Sequence, residues 1–588
     1  MKYKNILIGI LCSILIVYVS KILYATASST ELENYNLIAL SSTKQVSTKE
    51  YDADNLIKLG DLKPDRGFAI NGVEETRTNL FGSVSDAGDI NGDGIDDIML
   101  STPDTYIDGK KSVGQAYVIF GSNNLGKSGN FDLKELNGTN GFVIQGANEY
   151  DNLGEFISSA GDLNNDGFDD IIVSSPRINI GENKSSGKAY VVFGGSTVGN
   201  SGKLPVSSLN GSNGFAIGSD AEYSNTGYSV GNAGDVNDDD IDDIIVGTSS
   251  RNSSYTARDY VIFGNRQIGV SGNLELSTIN GSNGFIITGD GDDEALRFVS
   301  NAGDVNDDGI DDIILGAPRA GESNAEYGTD SIVSGDPPSG RGYVIFGSRN
   351  NRDRAEIKLS NLDGSNGFLM EIDAPGGHLG RSVSGAGDIN ADGIDDIIIG
   401  SSFVGSYIIF GDRNLGSNGK IDVSSLNGTQ GFALLPFKSF LGHSVSSAGD
   451  LNADGISDLA IVAAEPKTRT SKNNTNSSAN NSRTVVEGGI AYVIYGSANI
   501  EHLQEQDLFL MNRQQGLILQ DYGSYLGFIF STTQFDKSTH KSISNLGDVN
   551  GDGIDDLIVG IPGASNRADS YVIFGNRQYG ANANANDK

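Results

Sequence analysis

The chain contains a single cysteine, Cys12, and no tryptophan. Cys12 lies in an N-terminal apolar stretch, so the body has no thiol for a disulfide, a Cys-ligated zinc or a cysteine nucleophile. Histidine is nearly as scarce: His378, His443, His502 and His540 are scattered, without H-x-x-x-H or H-E-x-x-H spacing. Zinc hydrolysis and Ser-His-Asp catalysis are therefore poorly supplied. Positive charge is also short, with 41 Lys and Arg against 76 Asp and Glu and a formal net charge of −35. Binding to nucleic acid rests mainly on clustered Lys and Arg, so this balance argues against a nucleic-acid partner and leaves divalent cations in view. No segment of the body shows a sustained 3.6-residue apolar period or is apolar enough to span a bilayer.

Glycine, by contrast, contributes 79 of 588 residues, about twice its usual ~7% share, which points to many tight turns. The 22 Tyr and 24 Phe give the chain aromatic surface to bury, so its bulk should fold. Lys2 and Lys4 precede an apolar run from Ile6 to Val19, and Ala25-Thr26-Ala27 follows. This pattern is that of an export signal cleaved before Ser28, or of an uncleaved N-terminal membrane anchor extended by Ile22, Leu23 and Tyr24. Either way the expectation is a secreted or cell-surface, extracytoplasmic protein whose only membrane contact is that segment. The expected organisation is signal or anchor at 1–27, linker at 28–59, repeat domain at 60–577 and flexible tail at 578–588.

Self-similarity is the dominant signal. A nine-residue acidic segment, D-x-N-x-D-G-x-x-D, recurs seven times, starting at Asp89, Asp162, Asp235, Asp304, Asp388, Asp450 and Asp548. Each copy follows a Ser/Val alternation ending in Ala-Gly or Leu-Gly and precedes an apolar run such as Ile397-Ile398-Ile399-Gly400. Further on come a Tyr-(Val/Ile)-(Val/Ile)-(Phe/Tyr)-Gly run and a Gly-(Phe/Leu)-x-(Ile/Leu) run. Short β-branched and aromatic runs separated by Gly and Asn-Gly turns read as four strands per repeat. Such a unit cannot bury a core alone, and seven arranged radially give an all-β, seven-bladed β-propeller of four-stranded blades. A Gly-Phe-Ala-Ile run at Gly67 precedes the first module, and no such run follows the last Tyr run at Tyr571. The N-terminal strand should thus complete the seventh blade and close the ring.

The acidic segment places oxygen ligands at positions 1, 3, 5 and 9, with the carbonyl of position 7 between them. Hard cations take six to eight oxygens, so calcium is the expected cofactor, at up to seven sites. In the first copy the ligands are Asp89, Asn91, Asp93, the Ile95 carbonyl and Asp97. The second offers Asp162, Asn164, Asp166, Phe168 and Asp170, and the third Asp235, Asn237, Asp239, Ile241 and Asp243. The fourth offers Asp304, Asn306, Asp308, Ile310 and Asp312, and the fifth Asp388, Asn390, Asp392, Ile394 and Asp396. The last two are Asp450, Asn452, Asp454, Ile456 and Asp458, then Asp548, Asn550, Asp552, Ile554 and Asp556. Position 6 is Gly except in the third copy, where Asp240 stands and a weaker site is expected. Position 12 of the first copy is Leu100 rather than the bidentate Glu of an EF-hand. Position 8, as in Asp96, is expected to face solvent or to cap neighbouring backbone.

These repeats resemble FG-GAP repeats, as found in the seven-bladed propeller of integrin alpha subunits and in bacterial surface proteins. Phe81-Gly82 and Gly316-Ala317-Pro318 carry the motif, and Leu153-Gly154 with Ser174-Ser175-Pro176 is a looser copy. The resemblance implies calcium between the first two strands of a blade and a role in adhesion or recognition. The expected function is an extracytoplasmic calcium-binding module, not an enzyme, that recognises a protein or glycan. Its partner should bind the face opposite the calcium loops, where Arg319 to Arg341, Pro466 to Gly489 and Phe528 to Lys541 form the longest insertions. The alternatives are a carbohydrate- or lipid-active hydrolase on a propeller scaffold and a structural envelope component. The tyrosines and phenylalanines are read as core, and His378 and His443 as loop or packing residues.

Overall fold

In the computed structural model the repeated runs form seven sheets. The structure describes residues 55–580 apart from 73–81, 182, 220, 250–257, 290–297, 321–338, 350–353, 375–376, 402–403, 435–439, 471–481, 501–507, 509–510, 521–542 and 561–569. The expected signal or anchor, Phe81, most of the insertions at 319–341 and 528–541 and the last eight residues of the tail lie outside the described residues.

Blade one shows the pattern. Its inner strand Val84–Gly88 is followed by Asp97–Thr102, Gln115–Ile119 and Gly141–Gln145, each antiparallel to the strand before it. The second strand is buried along its whole length, because Ile98 and Leu100 on one face pack against blade seven and Met99 on the other against blade two. The inner strands of the other blades are Ile157–Gly161, Ser229–Gly234, Phe298–Gly303, Leu379–Gly387, Phe440–Gly449 and Ile543–Gly547. Core clusters run between blades: Phe142 and Ile144 of the first pack with Ile171 and Val173 of the second. A phenylalanine closing the third strand meets one opening the fourth in six blades, with ring centroids 5.7 to 6.0 Å apart, from Phe68–Phe574 to Phe410–Phe432.

The ring closes as its sequence order requires. Gly67–Asn71 lies antiparallel to Ser570–Ile573, with Gly67 opposite Ile573 and Ile70 opposite Ser570. Phe68 and Ile70 are fully buried between Val572 of blade seven and Val84, Ile98 and Leu100 of blade one.

Two details refine the expected ring of four-stranded blades. Six of the sheets have five strands rather than four. The fifth is a three-residue parallel strand from the connection between strands three and four of the following blade: Lys203–Pro205 lies beside Gly141–Gln145, and Asn130–Asp132 beside Gly67–Asn71. It caps an otherwise bare outer edge and laces each of these six blades to its neighbour. The second detail follows from the first. Leu56–Lys58 is the fifth strand of blade six, paired with Gly516–Gln520, so part of the stretch expected to be linker belongs to the propeller.

Blade six departs from the others in its second and third strands, Asp458–Thr470 and Ser482–Ile494, each of 13 residues. The flanks of the Asn/Ser-rich insertion are thus a paired ribbon.

Blade three carries a misfit. Asp259 in strand Arg258–Ile262 is fully buried where other blades have Ala116, Ala189, Gly342, Ser406, Ala491 and Ser570. Neither carboxyl oxygen has a hydrogen-bond partner among the described residues, and burial pushes its pKa well above the ordinary value. A raised pKa means the folded chain holds a proton that the unfolded chain releases above about pH 4. Stability is lost as pH rises from there towards the folded pKa. We expect Asp259→Ser to stabilise the chain at pH 7 by about 1–3 kcal/mol and to flatten its stability between about pH 4 and pH 7. Chemical denaturation of both chains at several pH values checks this; an equal loss of stability at every pH would contradict it.

Candidate metal centres

Antiparallel order within each blade puts the connections between strands one and two on one face, together with those between strands three and four. All seven acidic loops therefore share a face, and they repeat one local structure. In the first loop Asp89 Oδ1 accepts the N–H groups of Gly92 and Asp93, at 2.8 and 3.0 Å, and Oδ2 accepts that of Gly94 at 2.8 Å. Asp93 Oδ1 accepts the Ile95 N–H at 3.1 Å. Asp162, Asp235, Asp304, Asp388, Asp450 and Asp548 likewise cap the backbone of positions 5 and 6. Asp166, Asp308, Asp392, Asp454 and Asp552 each cap position 7, held by Phe168, Ile310, Ile394, Ile456 and Ile554.

The chain crosses into the left-handed region at positions 4 and 6. Position 6 has φ of 80° to 90° in its six glycines, while Asp240 is held at 60°. A Cβ on any of those six glycines would meet nothing within 4 Å, so Asp240 fits and its cost is backbone strain alone. We expect Asp240→Gly to stabilise the chain by about 1 kcal/mol, measured by chemical denaturation in chelator; a neutral or destabilising effect would contradict it.

Position 9 is the buried member. Asp97, Asp170, Asp243, Asp312, Asp396, Asp458 and Asp556 are inaccessible to solvent. Each accepts the N–H of the glycine that ends its own third strand, from Gly121 at 2.7 Å to Gly575 at 2.8 Å. That residue must be glycine, because a Cβ on Gly121 would lie 2.2 Å from the Asp96 carbonyl oxygen. The amides of Asn91, Asn164, Asn237, Asn306, Asn452 and Asn550 donate to the same buried carboxyls. Asn390 differs: its oxygen accepts the N–H of Asp392.

Burial, with the acidic residues of positions 1 and 5 adding to it, pushes Asp97, Asp170 and Asp396 up to about 8. Asp243, Asp312, Asp458 and Asp556 are pushed well above the ordinary value, chiefly by desolvation. Such carboxyls carry charge readily only opposite a cation. Among the described residues no three acidic side chains converge as a ready ligand cluster. Positions 1 and 5 are turned to the loop backbone, while position 9 lies beneath position 3. The donor chemistry nonetheless fits a hard cation: every candidate side-chain ligand offers oxygen, and every loop has one desolvated carboxyl with acidic neighbours.

The loops also join the blades, which the sequence reading only half anticipated. Position 8 caps backbone, and that backbone belongs to the preceding blade: Asp169 accepts the Asp89 N–H at 2.8 Å, and Asp242 that of Asp162 at 2.9 Å. Asp311, Asp395, Asp555 and Asp96 do the same for Asp235, Asp304, Asp450 and Asp548. The glycine before position 1 makes the room, since a Cβ on Gly88 would lie 2.3 Å from Asp169 Oδ2. Between blades five and six the residue is Ser457, whose own N–H donates to the Asp388 carbonyl at 3.2 Å. A second link is present at all seven seams: the position-2 carbonyl accepts an N–H from just beyond the next blade's third strand, as from Gly195 to Ile90 at 2.8 Å. Arg349 and Arg413 reach back to Asp238 and Asp307 at position 4 of the preceding loops. We expect Asp242→Ala to cost about 1–3 kcal/mol by leaving the Asp162 N–H unmet, and Ser457→Asp to be neutral or stabilising. Thermal melts of the two chains test this; a neutral Asp242→Ala would contradict it.

The comparisons with known proteins agree with this architecture. The FG-GAP repeat family matches residues 81–119, 156–192 and 542–576. Integrin alpha-5 of Xenopus laevis is 32% identical over 106 residues, 17% of this chain and 9% of that protein. Integrin alpha pat-2 of Caenorhabditis elegans is 28% identical over 274 residues, 44% of this chain and 18% of that one. Phosphatidylinositol-glycan-specific phospholipase D of Dictyostelium discoideum is 31% identical over 218 residues, 34% and 22% of the respective chains. The chain thus spans less than a quarter of the length of each of these relatives. The repeats, the closed ring of seven blades and these similarities show a seven-bladed propeller built of FG-GAP repeats similar to those of integrin alpha chains.

Proposed function

We propose that the protein is an extracytoplasmic recognition module of the adhesion type, a calcium-stabilised propeller that binds a protein or glycan on the face opposite its acidic loops. The observation that carries the calcium part is the buried position-9 carboxyl with acidic neighbours, present in all seven loops. Calcium would be held by the side chains of positions 1, 3, 5 and 9 and the carbonyl of position 7. It would supply the positive charge that lets those carboxylates be buried together. Since the same loops cap the blade seams, occupancy should stiffen the ring and present the opposite face as a rigid platform. The similarity to integrin alpha chains supports recognition and a place outside the cytoplasm.

The test is binding of the full chain to a panel of cell surfaces, matrix proteins and glycans, with calcium and after chelation. Calcium-dependent capture by one class of ligand is expected; no capture of folded, calcium-loaded protein would overturn the reading. A second reading, a hydrolase scaffold, draws on the similarity to the phospholipase D. Release of product from phosphatidylinositol-glycan or polysaccharide substrates would favour it.

A further inference from the structure

Three large apolar or aromatic side chains are exposed among the described residues: Tyr106, Tyr150 and Val270. Val270 lies between strands three and four of blade three, on the face of the acidic loops. Tyr106 lies between strands two and three of blade one, and Tyr150 between the fourth strand of that blade and the inner strand of the next, so both stand on the opposite face. Hydrogen bonds join their two loops. The Tyr150 N–H donates to the Lys111 carbonyl at 2.9 Å, the Lys111 N–H to Glu149 at 3.4 Å and the Lys110 ammonium to the Ala147 carbonyl at 3.3 Å.

Tyr150 has φ of 68°, in the left-handed region that a bulky side chain rarely enters. The turn is held there from both sides. The Asp151 carboxyl accepts the N–H groups of Ala147 and Asn148 at 3.0 and 2.6 Å, and the Asn152 N–H donates to the Ser112 carbonyl at 2.9 Å. One blade on, the arrangement repeats. Tyr223 has φ of 62°, its N–H donates to the Lys184 carbonyl at 2.8 Å, and the Asn225 N–H to that of Ser185 at 2.9 Å. Glu222 precedes it as Glu149 precedes Tyr150, and Glu149, Glu222, Lys111 and Lys184 are all exposed. An exposed tyrosine alone is ordinary. Two in the same strained turn, one blade apart, are not, because glycine would serve the backbone better and Tyr150, 56% exposed, gains little from packing. Strain kept beneath an exposed aromatic ring points to a surface held ready for a ligand.

The ligand chemistry follows from how this apolar surface is divided. A protein interface has a contiguous apolar core, whereas the aromatic rings here belong to separate turns, each bordered by a glutamate and a lysine. A pyranose unit is about the size of one phenol ring, with an apolar C–H face and a rim of hydroxyls that donate and accept. A polymer of such units matches a turn repeated from blade to blade, and one glutamate with one lysine per turn offers no net charge to select an ionic polymer. We infer that Tyr106, Tyr150 and Tyr223 form a binding face for a neutral polysaccharide, with sugar rings stacked on the tyrosines and hydroxyls bonded to Glu149 and Glu222. This rests on the recognition reading above and chooses glycan over protein as its ligand.

The test is affinity electrophoresis of the full chain, with calcium, through gels containing dextran, mannan, laminarin or galactan, with tyrosine difference absorbance in solution as a second readout that no tryptophan obscures. The expected result is retardation by at least one of the four and a perturbed tyrosine spectrum, not weakened between about 0.1 and 1 M salt because no ion pair holds the ligand. Tyr150→Gly/Tyr223→Gly should lose about tenfold or more in affinity while its melting temperature holds or rises, since the strain is relieved. Tyr150→Phe/Tyr223→Phe should keep most of the affinity. Retardation that the glycine variant leaves unchanged would overturn the inference, as would no retardation by any of the four. Loss of binding together with a lower melting temperature would assign the tyrosines to the fold and overturn it too. If matrix proteins of the wider panel capture the chain and the polysaccharides do not, the inference fails and the recognition reading stands; capture by neither overturns both.

Discussion

Moving the full chain from millimolar calcium into chelator should lower its melting temperature by on the order of 15 °C. A site occupied at a hundred times its dissociation constant adds about 2.7 kcal/mol to the folded state. Seven such sites, set against an unfolding entropy of about 2.1 cal/mol/K per residue over roughly five hundred residues, give a shift of that size. The effect is large because the charge is concentrated: each loop carries three aspartates at positions 1, 5 and 9, the last of them buried. It should act on the seams as well as the loops, since every loop also receives a hydrogen bond from the following blade at its position-2 carbonyl. Calorimetry in calcium, magnesium and chelator would measure it, with the largest gain expected in calcium. Identical melting in all three would leave the loops as acidic turns without a cation.

The second large effect concerns the point of closure. Phe68→Ala should cost about 3–5 kcal/mol, the usual range for a buried phenylalanine in a core that cannot collapse around the gap. Phe68 is wholly buried between the first and last blades, and its ring packs tilted against Phe574 with centroids 5.7 Å apart. Phe142→Ala, the equivalent change within blade one, removes a similarly buried ring and should cost a similar amount. The difference should appear locally. Gly67–Asn71 completes the last blade from the N-terminal side of the ring, and loosening it uncovers the edge of Ser570–Ile573. Hydrogen exchange at Val572 and Phe574, whose N–H groups face the Arg66–Phe68 backbone, should therefore accelerate in Phe68→Ala and not in Phe142→Ala. Equal exchange in both variants would mean that the ring is not held shut there.

Much of this architecture is legible in the sequence because the repeat is long and in register. Seven copies of one acidic segment, flanked each time by the same apolar runs, specify strand order, blade number and the offset that closes the ring. Lys203–Pro205 and its equivalents were not legible for a physical reason: three residues are too few to show alternation, and their pairing is parallel to a strand of another repeat. The Leu-x-x-Leu spacing that follows them, as in Leu133 and Leu136, marks the short helical turn after each and is the signal that could have found them. The seam contacts of position 8 were half legible. Asp stands there in six of seven copies, but that its carboxylate reaches the preceding blade depends on the room beside Gly88 and its equivalents. The blade-six ribbon was not legible because the Asn- and Ser-rich composition of its insertion carries no strand pattern, while the pairing lies in the flanks.

The central claim is that the acidic loops are calcium sites, and native mass spectrometry of the full chain after dialysis against calcium tests it most directly. The account predicts discrete additions approaching seven calcium ions, with the count falling by one in Asp450→Asn. A chain that holds no more calcium than a propeller-free protein of similar net charge, or a count that Asp450→Asn leaves unchanged, would contradict it.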